Sequence, residues 1–365
     1  MTSPTTARAR NPIANTLTAG KLPRGTGWYV LAGSWIAMGI VVDILQGAPA
    51  LVKLNVVAAI FFGTILYGAI IFMLSSLVEG GRKAKDRLVT ALVTTAFIIA
   101  LLPLISLLYT VAVRGAVRFF DTTFFTESMR NIVGPGGGEL QAIVGTLEIT
   151  AFAAVISIPI GLMTSIYLVE YGRGHLARAI TFFVDVMTGI PSIVAGLFAF
   201  ALFDLVFGTA VHNGAVGAVA LAVLMIPIVV RSSEEILKIV PNELREASYA
   251  LGVPKWLTIV RIVLPTSIAG ITTGIMLSIA RVIGETAPLL LTAGFSASMN
   301  YNLFSQQMQT LPVFVYTQYS QQEGSFTLAY NNRAWAAALT LVVIVVVLNL
   351  VGRIIARAFA PKLSR

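Results

Sequence analysis

Apolar residues occur in long uninterrupted blocks along this chain, and the polar residues gather between the blocks. Eight blocks are long enough to cross a hydrocarbon core of about 30 Å as helices. They lie at about 28–46, 54–78, 88–112, 141–168, 179–207, 214–230, 264–293 and 335–356. Within a bilayer the backbone must satisfy its own hydrogen bonds, which a helix does inside one segment. The pattern predicts an all-α integral membrane protein. One polar stretch between blocks, 231–262, has an amphipathic pattern of its own.

Composition supports the reading: 57% of the 365 residues are hydrophobic and 11% charged, about half the charge of a soluble domain. The chain has no cysteine, which excludes disulfides and Cys-ligated metal or iron–sulfur sites. A net charge of +9 invites a nucleic-acid reading, but the distribution argues against it. With the N-terminus inside, 19 of the 25 Lys and Arg residues fall on the inner side (Arg353, at the inner end of the last block, among them) and 5 outside, and Arg281 lies mid-span. This is the positive-inside bias of a membrane protein with both termini cytoplasmic.

Residues 1–27 read as a disordered basic tail, 28–78 as a transmembrane hairpin, and 79–365 as the main transmembrane body. Ala48-Pro49-Ala50 has the small-x-small form of a signal-peptide cleavage site, against which stand the long leader and Asp43 within the apolar run. Gly134-Pro135-Gly136-Gly137-Gly138 lacks the Gly-Lys-[Ser/Thr] of a P-loop and reads as a flexible outer loop. His175 and His212 have no partners at metal-ligand spacing, and no metal or cofactor site is assigned.

In the inner insert, Pro241 suits the first turn of a helix that carries Leu244, Ala247 and Leu251 on one face, with Glu243 and Glu246 elsewhere. Gly252 can end this helix in the left-handed conformation, and Pro254 can open a second, with Trp256, Ile259 and Val260 on one side. Two readings fit: a handle gripped by a soluble partner, or a hairpin lying at the lipid headgroups.

Arg281 sits near the middle of the 264–293 block. A central arginine costs about 2.5–3.5 kcal/mol on insertion scales, so one facing lipid alone is disfavoured. Glu285, four residues on, is expected on the same helix face, and Pro288 is expected to kink the helix. Either the two charges form an ion pair that locks helices together, or they form an anion station in which the carboxylate prevents overly tight binding. Arg231 either anchors a helix end in headgroups or serves as a second, exit station. Glu148 and Asp185 either face a cavity or pair internally.

Glu246-Ala247-Ser248, Gly252 and, after nine intervening residues, Ile262, Leu264 and Pro265 resemble the E-A-A…G…I-x-L-P loop of ABC importer permeases, with Ser248 in place of the second alanine. Arg281–Leu291 (R-V-I-G-E-T-A-P-L-L-L), Tyr167–Gly172, Gly189–Leu197 and Ile228–Glu234 resemble the phosphate-import permeases of the PstA type. The resemblance implies a type I ABC importer permease fold with a six-helix core, to which 28–78 adds an extra hairpin. It implies that the 231–262 loop docks on a separate ATP-hydrolysing subunit, which would hold the ATP and Mg. It also associates Arg231, Arg281 and Glu285 with phosphate passage. The implied partners are a second, PstC-like permease, a PstB-like ATPase homodimer and an extracytoplasmic PstS-like phosphate-binding protein, in a bacterial inner membrane. Weighed against this are a permease for sulfate or molybdate, an ion-coupled secondary transporter, and a membrane-embedded enzyme.

Overall fold

The computed structural model describes residues 20, 22–23, 25–45, 56–208, 211–321 and 324–359. Most of the 1–27 segment and the Ala48-Pro49-Ala50 motif lie outside these. The chain forms two compact units, Met1–Leu108 and Tyr109–Arg365.

The first unit holds α1 (Thr26–Leu45), α2 (Val56–Val78) and the first part of α3 (Gly81–Phe119). The α1–α2 pair packs closely because Gly63 has no side chain. A Cβ there would fall 2.7 Å from Trp35 Cδ1. Trp35 Nε1 donates to Thr64 Oγ1 at 3.2 Å across the pair. At the end of α2 the buried Glu79 accepts from Ser75 Oγ and from Arg87.

The second unit continues with α4 (Thr122–Thr126) and α5 (Leu140–Ile166), which runs into a π-helical turn, Tyr167–Tyr171. Then come α6 (Gly174–Thr188), α7 (Ser192–Phe207), α8 (Gly214–Ile239), α9 (Asn242–Ala250) and α10 (Lys255–Thr258). A second π-helical turn, Ile259–Val263, leads into α11 (Leu264–Val282), followed by α12 (Ala287–Thr292), α13 (Leu311–Ser320) and α14 (Thr327–Phe359). Span α8 is the most enclosed, with α5, α7 and α11 against it. The core between them is built by Ile149, Ala153, Leu221, Met225, Val282 and Leu289.

Among the described residues, seven helices are long and apolar enough to cross a membrane, or eight if one sharply bent pair counts as a single span. That pair is α6 and α7, expected as one span at 179–207 but bent by 110° at Gly189-Ile190-Pro191. Pro191 lacks an N–H and disfavours helix at the residue before it, which is enough to break the run.

Two other expectations need correction. The helix of the sixth block does not stop at 230. It continues to Ile239, because Arg231, Glu234 and Lys238 pair along its surface. The second short helix of the insert is not separate from the next span either: Lys255–Val282 is continuous through the π-helical turn. There the Leu264 N–H reaches the Ile259 carbonyl, a wider turn placed directly before Pro265.

The outer glycine loop is held rather than loose. Arg333, fully buried, donates from Nη1 to the carbonyls of Gly134 (2.7 Å) and Gly136 (2.8 Å), and from Nε to Gln318 Oε1 (2.8 Å). Arg118 Nη2 donates to the Gly137 carbonyl at 2.7 Å.

The next residue after this loop is Glu139, at the head of α5. It is fully buried, and neither carboxyl oxygen has a hydrogen-bond partner. Burial pushes its pKa from 4.5 up to about 8. A carboxyl whose folded pKa exceeds its unfolded value binds more protons when folded, so stability falls as pH rises between the two. Thermal stability of the detergent-solubilised protein should therefore decline from pH 4.5 to about 8. Glu139→Gln should flatten that decline and leave stability at its upper end equal or higher; an unchanged slope would refute this assignment.

Candidate functional site

Where α6, α7, α8 and α11 meet, they enclose a cavity of about 180 Å³. The end of α6 contributes Met187 and Thr188, the break contributes Ile190, and α7 begins at Ser192. The opposite wall is Leu224, Pro227 and Ile228 on α8. Arg281 and Val282, the last turn of α11, and Glu285 in the following break complete it. Gly196 sets the approach of α7 to α12: a Cβ there would fall 2.7 Å from Pro288 Cα.

The expected same-face relation of Arg281 and Glu285 does not hold. The helix ends at Val282, the Glu285 N–H donates to the Val282 carbonyl at 3.1 Å, and Pro288 stands in the first turn of the new helix α12 instead of kinking a continuous one. No Arg281–Glu285 ion pair forms among the described residues. Both side chains instead line the same cavity, Arg281 exposed and Glu285 half-buried. A fixed guanidinium and a fixed carboxylate that face one small space without neutralising each other can hold a small anion and release it.

Arg231 lies one turn beyond Ile228 on α8 and does not line this cavity. Its guanidinium donates to Asp185 of α6 and, at 3.1 Å, to Glu234, which also takes Lys238 at 2.7 Å. Asp185 is thus internally paired. Glu148 is half-buried on α5, with Oε2 unpartnered. His212 stacks on Phe200 with ring centroids 4.9 Å apart.

In the insert, Pro241 precedes α9, Gly252 has φ +75° and Pro254 precedes α10, as their chemistry demands. Glu243, Leu244, Glu246 and Ala247 are exposed, and Leu251 is 84% exposed. This chain therefore leaves the apolar face of α9 uncovered. The inward side is polar: Ser248 Oγ and Thr258 Oγ1, both buried, lie 2.8 Å apart and hold the two helices together. Ile262 and Leu264 are half-buried and Pro265 exposed.

Sequence reasoning missed the insert's principal fastening. Arg245 pairs with Glu170 of the first π-helical turn at 2.9 Å, and also donates to the carbonyls of Leu237 (3.0 Å) and Val240 (2.6 Å). Lys255 donates to the Glu170 carbonyl. The two partners lie 75 residues apart, and neither periodicity nor spacing links them. Thr188 and Ser192 were also missed. The signal available for them was the Gly-Ile-Pro-Ser run that breaks α6 from α7.

The fold and site define a multi-pass, all-helical membrane permease of the type I ABC importer class. Two solved structures share the fold. One is a bacterial alginate ABC transporter in complex with its alginate-bound periplasmic protein (TM-score 0.55, 14% identity, covering 75% of this chain and 95% of that one). The other is the inward-facing MetNI methionine transporter (TM-score 0.50, 21% identity, 61% and 96%). The family model for binding-protein-dependent transport system inner membrane components matches residues 157–365, and the chain belongs to this family. Relatives include "Phosphate transport system permease protein PstA 1" of Mycobacterium tuberculosis (strain CDC 1551 / Oshkosh), 48% identical over 276 residues, which are 75% of this chain and 89% of the relative. The PstA protein of Yersinia pestis is 38% identical over 290 residues, 78% and 93%. The chain is thus a transport subunit.

Proposed function

We propose that this chain is the PstA-type permease subunit of an ATP-driven phosphate importer in a bacterial inner membrane, with both termini cytoplasmic. The observation that carries the reading is the unpaired Arg281 and Glu285 facing one cavity, in a chain 48% identical to a phosphate permease. A second, PstC-like permease completes the pore, and a PstS-like binding protein delivers phosphate from outside. A PstB-like ATPase dimer, which holds ATP and Mg²⁺, grips the exposed face of α9 through Leu244, Ala247 and Leu251, with Glu243 and Glu246 beside it. Phosphate passes Arg281 and Glu285 on its way inward. Arg231, clasped by Asp185 and Glu234, takes part as an exit station only when that clasp opens.

Membrane vesicles containing the whole assembly and its binding protein provide the test. ATP inside the ATPase compartment should drive phosphate accumulation, with sulfate and molybdate left outside. Equal uptake of sulfate would favour the other-oxyanion reading, and uptake driven by an ion gradient without ATP would favour a secondary transporter.

A further inference from the structure

We infer that the cavity selects oxyanions that carry a proton, with Glu285 and Thr188 as its hydrogen-bond acceptors. The inference rests on the proposed phosphate path. Arg281 supplies donors only. Glu285, which forms no ion pair among the described residues, supplies acceptors only as a carboxylate. The hydroxyl hydrogen of Thr188 is already spent on the Val184 carbonyl at 2.9 Å. What Thr188 presents to the cavity is therefore its lone pairs. The Ser192 hydroxyl has no such commitment and can donate or accept.

A small tetrahedral anion held among these groups meets both donors and acceptors. Phosphate and arsenate keep at least one proton near neutral pH. That proton turns the encounter with Glu285 from like-charge repulsion into a charge-assisted O–H···O⁻ hydrogen bond, about twice as strong as a neutral one. Sulfate has no proton to give. It would set bare oxygens against a carboxylate and leave the Thr188 oxygen unmatched, with only Arg281 and the Ser192 hydroxyl as side-chain donors to compensate. Sites that read a substrate hydroxyl in this manner reject analogues lacking it by factors of about 10⁴ in favourable cases. The side chains of the surrounding Met187, Ile190, Leu224 and Val282 are apolar. The carboxylate thus acts as a filter as well as a brake on binding, and this permease carries selectivity independent of any binding protein.

Competition against radiolabelled phosphate on the assembled permease–ATPase complex, without binding protein and at neutral pH, reads this directly. In the wild type, arsenate should displace phosphate at similar concentration. Sulfate and monofluorophosphate, a phosphate analogue without an acidic proton at that pH, should require at least about 100-fold more. Glu285→Gln places an amide donor in the cavity and should bring sulfate within about tenfold of phosphate. Wild-type complex that accepts monofluorophosphate as readily as phosphate overturns the inference, and this arm does not depend on any variant folding. So does a Glu285→Gln complex that binds phosphate and still excludes sulfate. Arg281→Gln separates the two levels: undiminished phosphate binding in that variant would remove the cavity from the path altogether, whereas its loss leaves the path standing whatever Glu285 does.

Discussion

Arg281→Gln is expected to cut ATP-driven phosphate uptake about 30-fold or more while the complex still assembles. The side chain lines the cavity and holds no ion pair among the described residues. Its removal therefore strands no buried partner, and glutamine retains much of the stem. What is lost is the one fixed positive charge lining the cavity, together with its planar fork of donors. Removing a charge that faces a desolvated anion costs about 2 kcal/mol or more, roughly a 30-fold loss. Uptake per assembled complex, compared with wild type at equal recovery of all subunits, checks this. Undiminished transport would return Arg281 to a purely structural role.

The second large effect is expected far from the cavity. Arg245→Ala should lower stability and separate ATP hydrolysis from uptake. Arg245 and Glu170 have side chains only 11% and 4% exposed. Breaking a buried pair by removing one member strands the other charge, at about 3–5 kcal/mol. The same arginine bonds the carbonyls of Leu237 and Val240 at the junction of α8 and α9. Its loss unfastens the insert from the spans on both sides. The expected signature is a lower melting temperature together with fewer phosphate ions moved per ATP. A double variant, Arg245→Met with Glu170→Leu, should recover much of the melting temperature because no charge is left stranded. It should not recover coupling, because the carbonyl contacts remain unmade. Recovery of both would reduce the pair to ordinary packing.

The contrast between these two sites shows which parts of the structure were legible in the sequence. Most of the apolar blocks and the turns inside the insert were readable because their causes are local: Pro241, Gly252 and Pro254 act on their own backbone. The chemistry-bearing residues Arg281 and Glu285 stood out for the same reason, as charges in an apolar run. Their relation to each other did not, because an i, i+4 argument presumes a helix that in fact ends at Val282. The polar run after Arg231 imitated a loop, since charges that satisfy one another along α8 look in sequence like charges that need water. The glycine loop looked slack because the arginine that fastens it lies about 200 residues away, Arg333 against Gly134. The cavity wall from Thr188 and Ser192 depended on a sharp bend, whose angle no spacing encodes.

The unbroken helical run from Lys255 to Val282 has a mechanical consequence. Trp256, 61% exposed in the insert, and Arg281, at the cavity, are the two ends of one stick. They are 25 residues apart in this run, a reach of about 38 Å at 1.5 Å per residue. A tilt of about 5° about one end swings the other by roughly 3 Å, a full hydrogen-bond length. If the insert couples to a partner and Arg281 holds the anion, as proposed, a modest tug on the tryptophan end would carry the guanidinium out of bonding range, with the π-helical turn after Thr258 as fulcrum. On the proposed function, gripping and letting go of the cargo would need no signal passed from residue to residue, because the handle and the hand are the same piece.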